Sequence, residues 1–264
     1  MEIHEVVKVL GIFILGLSVG SFLNVVIYRI PRDMSIVYPP STCPSCKSRI
    51  KWLDNIPIIS YLLLRGRCRY CGSHIGMRYQ LVELITGISA VLTYTKFGFG
   101  LDFLFYFYFV GSMIALTFID IEFKIIPDQI NFGGLFVGLV FSVVKSIKEV
   151  SFEPVISAIV GSLVGAGFLF FIAYLYLKIR GIEGLGMGDV KLLTFIGSYT
   201  GWFGSLFTIF FGSLVGAVVG VVLIKLMKKD YYYEIPFGPF LALAGLIYLF
   251  FGEYIEKFYF GGTG

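Results

Sequence analysis

The chain has 264 residues, of which 57% are hydrophobic and only 14% charged, with a net charge of +4 and a mean hydropathy of +0.87. Ordinary soluble domains do not carry that balance, so the composition excludes a water-soluble globular fold and specifies a polytopic membrane protein. The four cysteines come as two pairs in one polar stretch, the pattern of a metal site rather than of a disulfide framework.

Residues 6–28 form the first apolar run. It opens behind Glu2 and Glu5 and no small-x-small cleavage site follows it, so it reads as a retained span and not as a cleavable signal. Gly11, Gly16, Gly20, Ser18 and Ser21 are small residues of the kind that let helices approach closely in lipid. Residues 29–78 make the one sizeable polar segment. Further apolar runs follow at 79–97, 101–119, 130–144, 155–177, 190–203, 206–227 and 237–251. The expectation is an all-α polytopic membrane protein with about eight transmembrane helices and a small cytoplasmic zinc-knuckle segment after the first helix. The run 190–203 is short for a hydrocarbon layer of about 30 Å; it is tilted, partly re-entrant, or continuous with the turn carrying Asp189. Small residues recur within 161–167 and 212–220, as at helix contacts, and the chain shows no convincing internal repeat. The chain divides into a first transmembrane helix at 1–28, a cysteine-bearing cytoplasmic segment at 29–78, and a transmembrane core at 79–264.

Orientation follows from lysine and arginine. The segment 29–78 holds nine of them against only Asp33 and Asp54, a strong cytoplasmic signal. Alternate counting then makes 120–129, 178–189 and 225–234 cytoplasmic. These carry Lys124, Lys178, Arg180, Lys225, Lys228 and Lys229, and both termini fall on the opposite side.

Two acids stand out against this background. Gly186-Met187-Gly188-Asp189 interrupts two long apolar runs, and Asp120 closes another on the same predicted side. An ionisable group at the edge of a hydrocarbon layer is expensive, by roughly 2.5–3.5 kcal/mol on insertion scales, and is a functional candidate for that reason. Gly186 and Gly188 allow close backbone approach. Two carboxylates held together share one proton. The ionised one can take a proton from water while the protonated one polarises a carbonyl, which is metal-free amide hydrolysis. The alternative is that both acids cap helices or pair with Lys124 or Lys191. Glu122 and Asp128 rival Asp120 on spacing alone, although Asp128 follows Pro127, where a helix-start role is plainer. Glu83, early in the second span, is a further buried-acid candidate, with snorkelling or a pair with Arg78 as the alternative.

Cys43-Pro44-Ser45-Cys46 and Cys68-Arg69-Tyr70-Cys71 are two C-x-x-C knuckles separated by 21 residues. Thiolates prefer tetrahedral zinc, and four of them leave no open position for a substrate, so the site is structural. A small polar segment needs such a staple. Arg65, Arg67 and Arg69 are accounted for by positive-inside bias, and no nucleic-acid partner is expected. Tyr231-Tyr232-Tyr233-Glu234 reads as an interfacial belt, and Pro236-Phe237-Gly238-Pro239 could line the acidic site. Two other function classes are compatible with these features: a proton-coupled transporter and a non-catalytic zinc-bearing scaffold.

Taken together, these motifs resemble the bifunctional prepilin peptidases, the type IV leader peptidases of the GxGD aspartic protease class. The resemblance is carried by residues 20–31, both cysteine knuckles, residues 54–61, residues 78–83, Ile119-Asp120 with Ile126-Pro127-Asp128, residues 186–192 and residues 235–240. These cover almost the whole chain, in family order. Tyr28 departs from the histidine of many relatives. The resemblance implies Asp120 and Asp189 as the catalytic pair. It implies type IV prepilins or type II secretion pseudopilins as substrates, cut on the cytoplasmic side of the bacterial inner membrane after a basic leader ending in glycine. It also implies N-methylation of the new terminus with S-adenosyl-L-methionine, an activity associated with the cysteine segment. No soluble-type Gly-x-Gly-x-x-Gly fingerprint marks a donor site. The expected place is where the cysteine segment meets the second span, near Gly76, Arg78 and Glu83.

Overall fold

The computed structural model describes residues 3–181, 186–227 and 235–261. The expectation for Tyr231, Tyr232, Tyr233 and Glu234, and for Lys228 and Lys229, falls outside the described residues. Among those described, regular structure is helical, and β pairing is confined to two isolated bridges. The helices are α1 (Ile3–Arg29), α2 (Ile59–Leu63), α3 (Arg78–Phe97), α4 (Leu101–Phe123), α5 (Asp128–Glu149), α6 (Glu153–Arg180), α7 (Met187–Met227) and α8 (Gly238–Phe260), with short 3-10 turns at Ile30–Arg32 and Trp52–Asn55.

Among the described residues, six helices are long and apolar enough to cross a membrane: α1 and α4 to α8. At 41 residues and 1.5 Å per residue, α7 would reach about 60 Å, twice a bilayer. It is broken at Gly201, whose φ of 69° and ψ of −174° are not helical. The sequence places this break a few residues later, between 203 and 206. The two arms of α7 account for the two runs expected there, 190–203 and 206–227. The remaining expected span, α3, has an outer face of Leu81, Leu84, Ile88 and Leu92, all exposed, while its inner face holds Glu83, Thr86, Gly87 and Thr93. Apolar residues outside and small or polar ones inside suit a helix whose outer face meets lipid.

The chain forms two compact units, Met1–Ala115 and Leu116–Gly264, with α4 running from one into the other. In the first unit α1 lies against α3. A Cβ on Gly16 would stand 2.8 Å from the Gly87 Cα, and one on Gly20 would stand 2.7 Å from the Glu83 Cα. Only glycine permits that approach. Ile12, Ala90, Phe103 and Phe107 form a buried apolar cluster in this unit.

In the second unit α6 packs on α7 through backbone. A Cβ on Gly161 would fall 2.3 Å from the Gly197 carbonyl oxygen. Ser162 donates to the Thr194 carbonyl at 2.9 Å and Ser205 to the Gly161 carbonyl at 2.8 Å. With little hydrophobic drive between helices in lipid, such contacts and hydrogen bonds replace it. Gly134 and Gly138 of α5 receive Phe195 and Ser198 of α7, and Gly212 and Gly216 of α7 receive Leu241 and Phe240 of α8.

Candidate functional site

Asp120 sits in the last turn of α4. The helix stops where Lys124 adopts a left-handed φ of 56° and its N–H closes on the Asp120 carbonyl at 2.9 Å, a common way to satisfy a helix end. Pro127, in extended conformation, then starts α5. Asp189 lies in the first turn of α7, with its N–H bonded to the Gly186 carbonyl at 3.1 Å. The start of α8 completes the site: the Gly238 N–H donates to Asp120 Oδ2 at 3.0 Å.

Ile126 ties these pieces together. A Cβ on Gly188 would meet the Ile126 Cβ at 3.1 Å, and a Cβ on Gly238 would meet the Ile126 Cδ1 at 3.0 Å and the Asp120 Oδ2 at 2.7 Å. The two glycines therefore let one isoleucine pack against both the chain next to Asp189 and the chain whose N–H holds Asp120. Asp120 and Asp189 are 5% and 8% exposed, and their carboxylates are near enough to act on each other electrostatically. The rival acids lie elsewhere. Asp128 is exposed and grips Lys191 at 2.7 and 2.8 Å, so Lys191 is engaged with Asp128. Glu122 is exposed. Of the three acids at 120–128, Asp120 is the one buried beside Asp189.

In the first unit the two cysteine pairs fold alike. Cys43 N–H bonds to Ser48 O and Cys68 N–H to Ser73 O, both at 2.9 Å; Lys47 N–H bonds to Cys43 O and Gly72 N–H to Cys68 O, again at 2.9 Å. Lys47 and Gly72 are both left-handed, with φ of 59° and 70°. Bridges join Thr42 to Arg49 and Arg67 to His74. Every equivalent position is 25 residues apart, so residues 41–50 and 66–75 are a short repeat. The signal was in the sequence: cysteine, cysteine, serine and isoleucine recur at 43/68, 46/71, 48/73 and 50/75.

The four Sγ atoms lie within 4.8 Å of one another, with Cys43–Cys71 at 3.9 Å and Cys46–Cys68 at 4.0 Å. A tetrahedral ion with metal–sulfur bonds of about 2.3 Å needs sulfurs roughly 3.8 Å apart, so the set fits a tetrahedral metal. The Cys46 backbone N–H, helped by the Ser73 hydroxyl, pulls the Cys43 thiol down to about 6 against the opposing effect of burial. Ser73 likewise lowers Cys71. Both shifts favour the thiolate, the ligating form. Arg69 clamps Asp54 through Nε and Nη2, at 2.6 to 3.0 Å, which ties the Trp52–Asn55 turn to the second knuckle and holds Asp54 below the usual carboxylate range.

A cavity of about 430 Å³ lies among α1, the knuckles and α3. That size suits a small molecule. Gly76 and Glu83 line it; Arg78 is not among the lining residues, and its guanidinium rests 4.9 Å from the centre of the Tyr79 ring. Glu83 is buried and accepts the Ile58 N–H at 2.9 Å. Ile58 has φ 60° and ψ −49°, and the Ile59 N–H reaches back to the Pro57 carbonyl at 2.6 Å. This is a γ-turn of the rare, strained kind, at a β-branched residue. Strain of this sort collects at ligand sites.

Two family models match the chain: the bacterial peptidase A24 N-terminal domain over residues 14–97, and the type IV leader peptidase family over residues 107–221. Proteins named prepilin leader peptidase/N-methyltransferase align along nearly all of it. The one from Aeromonas salmonicida strain A449 is 34% identical, covering 94% of this chain and 92% of its own length. That from Pseudomonas aeruginosa is 34% identical, with 97% and 94% covered. That from Xanthomonas campestris pv. campestris is 37% identical, with 90% of each covered. The chain belongs to the type IV leader peptidase family. No solved structure matches it.

In this leader peptidase the N-terminal family model spans most of α1, the knuckles and α3, which hold the cysteines and the cavity; the second spans both acids. Two contributors escape a reading of the residues by themselves: Ile126, packed on Gly188 and Gly238, and Asn24, which lines the cavity; like the Gly238 N–H, each acts through a partner distant in the chain. The Pro236–Pro239 stretch was the available hint for Gly238.

Proposed function

We propose that the chain is an integral-membrane aspartic endopeptidase that removes the leader of type IV prepilins or type II secretion pseudopilins and then methylates the new N-terminus. The observation that carries the reading is the burial of both Asp120 and Asp189, at helix ends whose neighbouring glycines, Gly238 and Gly188, pack on the same Ile126. In the reaction one carboxylate, ionised, takes a proton from water as the water oxygen attacks the scissile carbonyl. The other, protonated, donates to the carbonyl oxygen. The tetrahedral intermediate collapses, the C–N bond breaks, and the departing amine takes up a proton. Gly238 holds the Asp120 oxygen in place, and Ile126 keeps bulk water from the pair.

The resident metal is zinc, held by Cys43, Cys46, Cys68 and Cys71 with no open coordination position, so its role is to hold the knuckles together. The methyl donor is S-adenosyl-L-methionine, which supplies a methyl group on a positively charged sulfur. The cavity suits it in size, and two buried acceptors, Asn24 Oδ1 and Gln80 Oε1, have no partner there; unsatisfied buried polar atoms imply an absent ligand or water. Gly76 and Glu83 contact the donor, with Arg78 behind Tyr79. The protein resides in the bacterial inner membrane with both sites facing the cytoplasm, where basic segments concentrate.

The test is purified enzyme with a prepilin and an isotopically labelled methyl donor, read by mass spectrometry of the product's N-terminus. Wild type yields a shortened, methylated chain. Asp120→Asn and Asp189→Asn each leave the leader attached. Parental cleavage by either variant removes that residue from the mechanism.

A further inference from the structure

The cavity carrying Glu83 has a neighbour. A second concavity, of about 360 Å³, opens along α1 and shares Ser21, Val25, Arg29, Pro39, Ser41 and Asn55 with the first. Its α1 wall is Ser18, Ser21, Phe22 and Val25, the i, i+3, i+4, i+7 spacing of a single helix face. Phe22 is 48% exposed, on a helix apolar enough to span the membrane. Across from it stand Ile36, Val37, Pro39, Pro40 and Pro57. The groove is thus mixed: Phe22, Val25, Ile36, Val37 and three prolines give it apolar wall, with Ser18, Ser21, Arg29, Ser41 and Asn55 set among them, and it runs along a helix apolar enough to span the membrane.

Its inner end is different. Ser21 belongs to both concavities and its hydroxyl is hydrogen-bonded to Glu83. One turn further along α1, Asn24 is 3% exposed. Its Nδ2 donates to the Gly20 and Tyr79 carbonyls, at 3.3 and 2.9 Å. That fixes the amide orientation and leaves Oδ1, which has no partner. Two of the cations lining the larger cavity are engaged: Arg29 donates to the Ser35 and Pro39 carbonyls, at 2.8 and 2.7 Å, and Arg69 holds Asp54; Lys47 is the third. Glu83 and Asn24 line the larger cavity just behind Ser21, where the groove meets it, and a carboxylate and a lone amide oxygen beyond a partly apolar groove suit a cation attached to an apolar chain.

Resting on the reading that the larger cavity holds the methyl donor, we propose that this groove receives the N-terminus of the processed substrate. The substrate's apolar segment lies along Ser18, Phe22 and Val25, and its terminal ammonium reaches Glu83 and Asn24 Oδ1. Glu83 is then a catalytic residue of the methyl transfer. It removes one proton from the ammonium, and the freed nitrogen lone pair forms the N–CH3 bond. The C–S bond breaks with its electron pair going to sulfur. The positive charge passes from sulfur to nitrogen, and a neutral thioether leaves. The groove selects for a free amine on an apolar helix, and Asn24 orients it.

The experiment uses the full chain in lipid nanodiscs and two probes: a fluorescent peptide of the processed substrate's apolar N-terminal segment, free or N-acetylated, and labelled S-adenosyl-L-methionine. In wild type the free peptide binds roughly tenfold or more tighter than the acetylated one, the scale of a charge-assisted hydrogen bond. Ser18→Trp, which fills the groove, weakens peptide binding by a similar factor and leaves donor binding unchanged. Glu83→Gln removes the distinction between free and acetylated peptide. Equal binding of the two peptides by wild type, or undiminished peptide binding by Ser18→Trp, overturns the groove proposal while donor binding still supports the underlying reading. Absence of donor binding by wild type overturns both. Donor binding certifies that Ser18→Trp is folded; for Glu83→Gln, whose residue lines the donor cavity, helix content by circular dichroism does so.

Discussion

Gly238 shows how little separates a working acid from a displaced one. Its N–H holds Asp120 Oδ2 at 3.0 Å, and the place of its missing Cβ is 2.7 Å from that same oxygen. Gly238→Ala must therefore push the carboxylate aside. A misplacement on the order of 1 Å can cost about a hundredfold in rate, and a loss of that order in leader cleavage is expected, with expression and helix content unchanged. Gly188→Ala meets only the Ile126 side chain, at 3.1 Å, which can yield by a few tenths of an ångström. Its cleavage rate should fall by much less. Side-by-side kinetics of the two variants check the ordering; equal losses would mean that backbone freedom, not contact with Asp120, is what Gly238 provides. At the same scale, Asp128 and Lys191 neutralise each other. Such an exposed pair stabilises by about 0–1 kcal/mol, so Asp128→Asn should leave thermal stability nearly unchanged.

At the scale of elements, glycines decide which helices can touch. Gly161 faces the Gly197 carbonyl so closely that an added Cβ would lie 2.3 Å from backbone, and backbone cannot swing away as a side chain can. Gly161→Ala should separate α6 from α7 and strain the Ser205 hydrogen bond to the Gly161 carbonyl. Overpacking of this kind destabilises by about 1–3 kcal/mol, to be read as a lower unfolding temperature in detergent. Gly167, on the same helix, has nothing within 4 Å of its Cβ position. Gly167→Ala should be neutral or stabilising by up to about 1 kcal/mol, the helix-propensity difference. A drop for both variants would point to helix curvature rather than contact.

For the whole molecule, the two chemistries draw on different parts of the chain. Both acids, Ile126 and Gly238 belong to Leu116–Gly264, whereas the cysteines, Glu83 and the cavity belong to Met1–Ala115. Damage to one set should therefore spare the other. Elemental analysis of the purified protein should find one zinc per chain, and Cys43→Ser or Cys68→Ser should lose it. Because a structural metal contributes folding energy to a small segment, those variants should lose methylation while leader cleavage persists. Loss of both activities together would mean that the knuckles also support the peptidase half.

What the sequence determined by itself is whatever depends on near neighbours in the chain. Apolar run length marked the spans, lysine and arginine counts gave an expected orientation, and the C-x-x-C spacing pointed to a metal. Gly186-Met187-Gly188-Asp189 and Asp120 stood out because an acid beside a hydrocarbon layer is costly. The resemblance to a family then favoured Asp120 over Glu122 and Asp128, which local pattern left open. Tertiary structure decided what depends on partners far apart. Asp128 pairs with a lysine 63 residues away, and Asp120 takes its hydrogen bond from 118 residues away. Hydropathy carries no trace of either. The break in α7 sits at Gly201, where a Cβ would meet Ser157 Oγ of α6 at 2.6 Å, so its place follows a contact between helices rather than the apolar pattern. The cavity likewise exists only once α1, the knuckles and α3 are assembled, because each supplies one wall and no single stretch of chain encodes a concave surface.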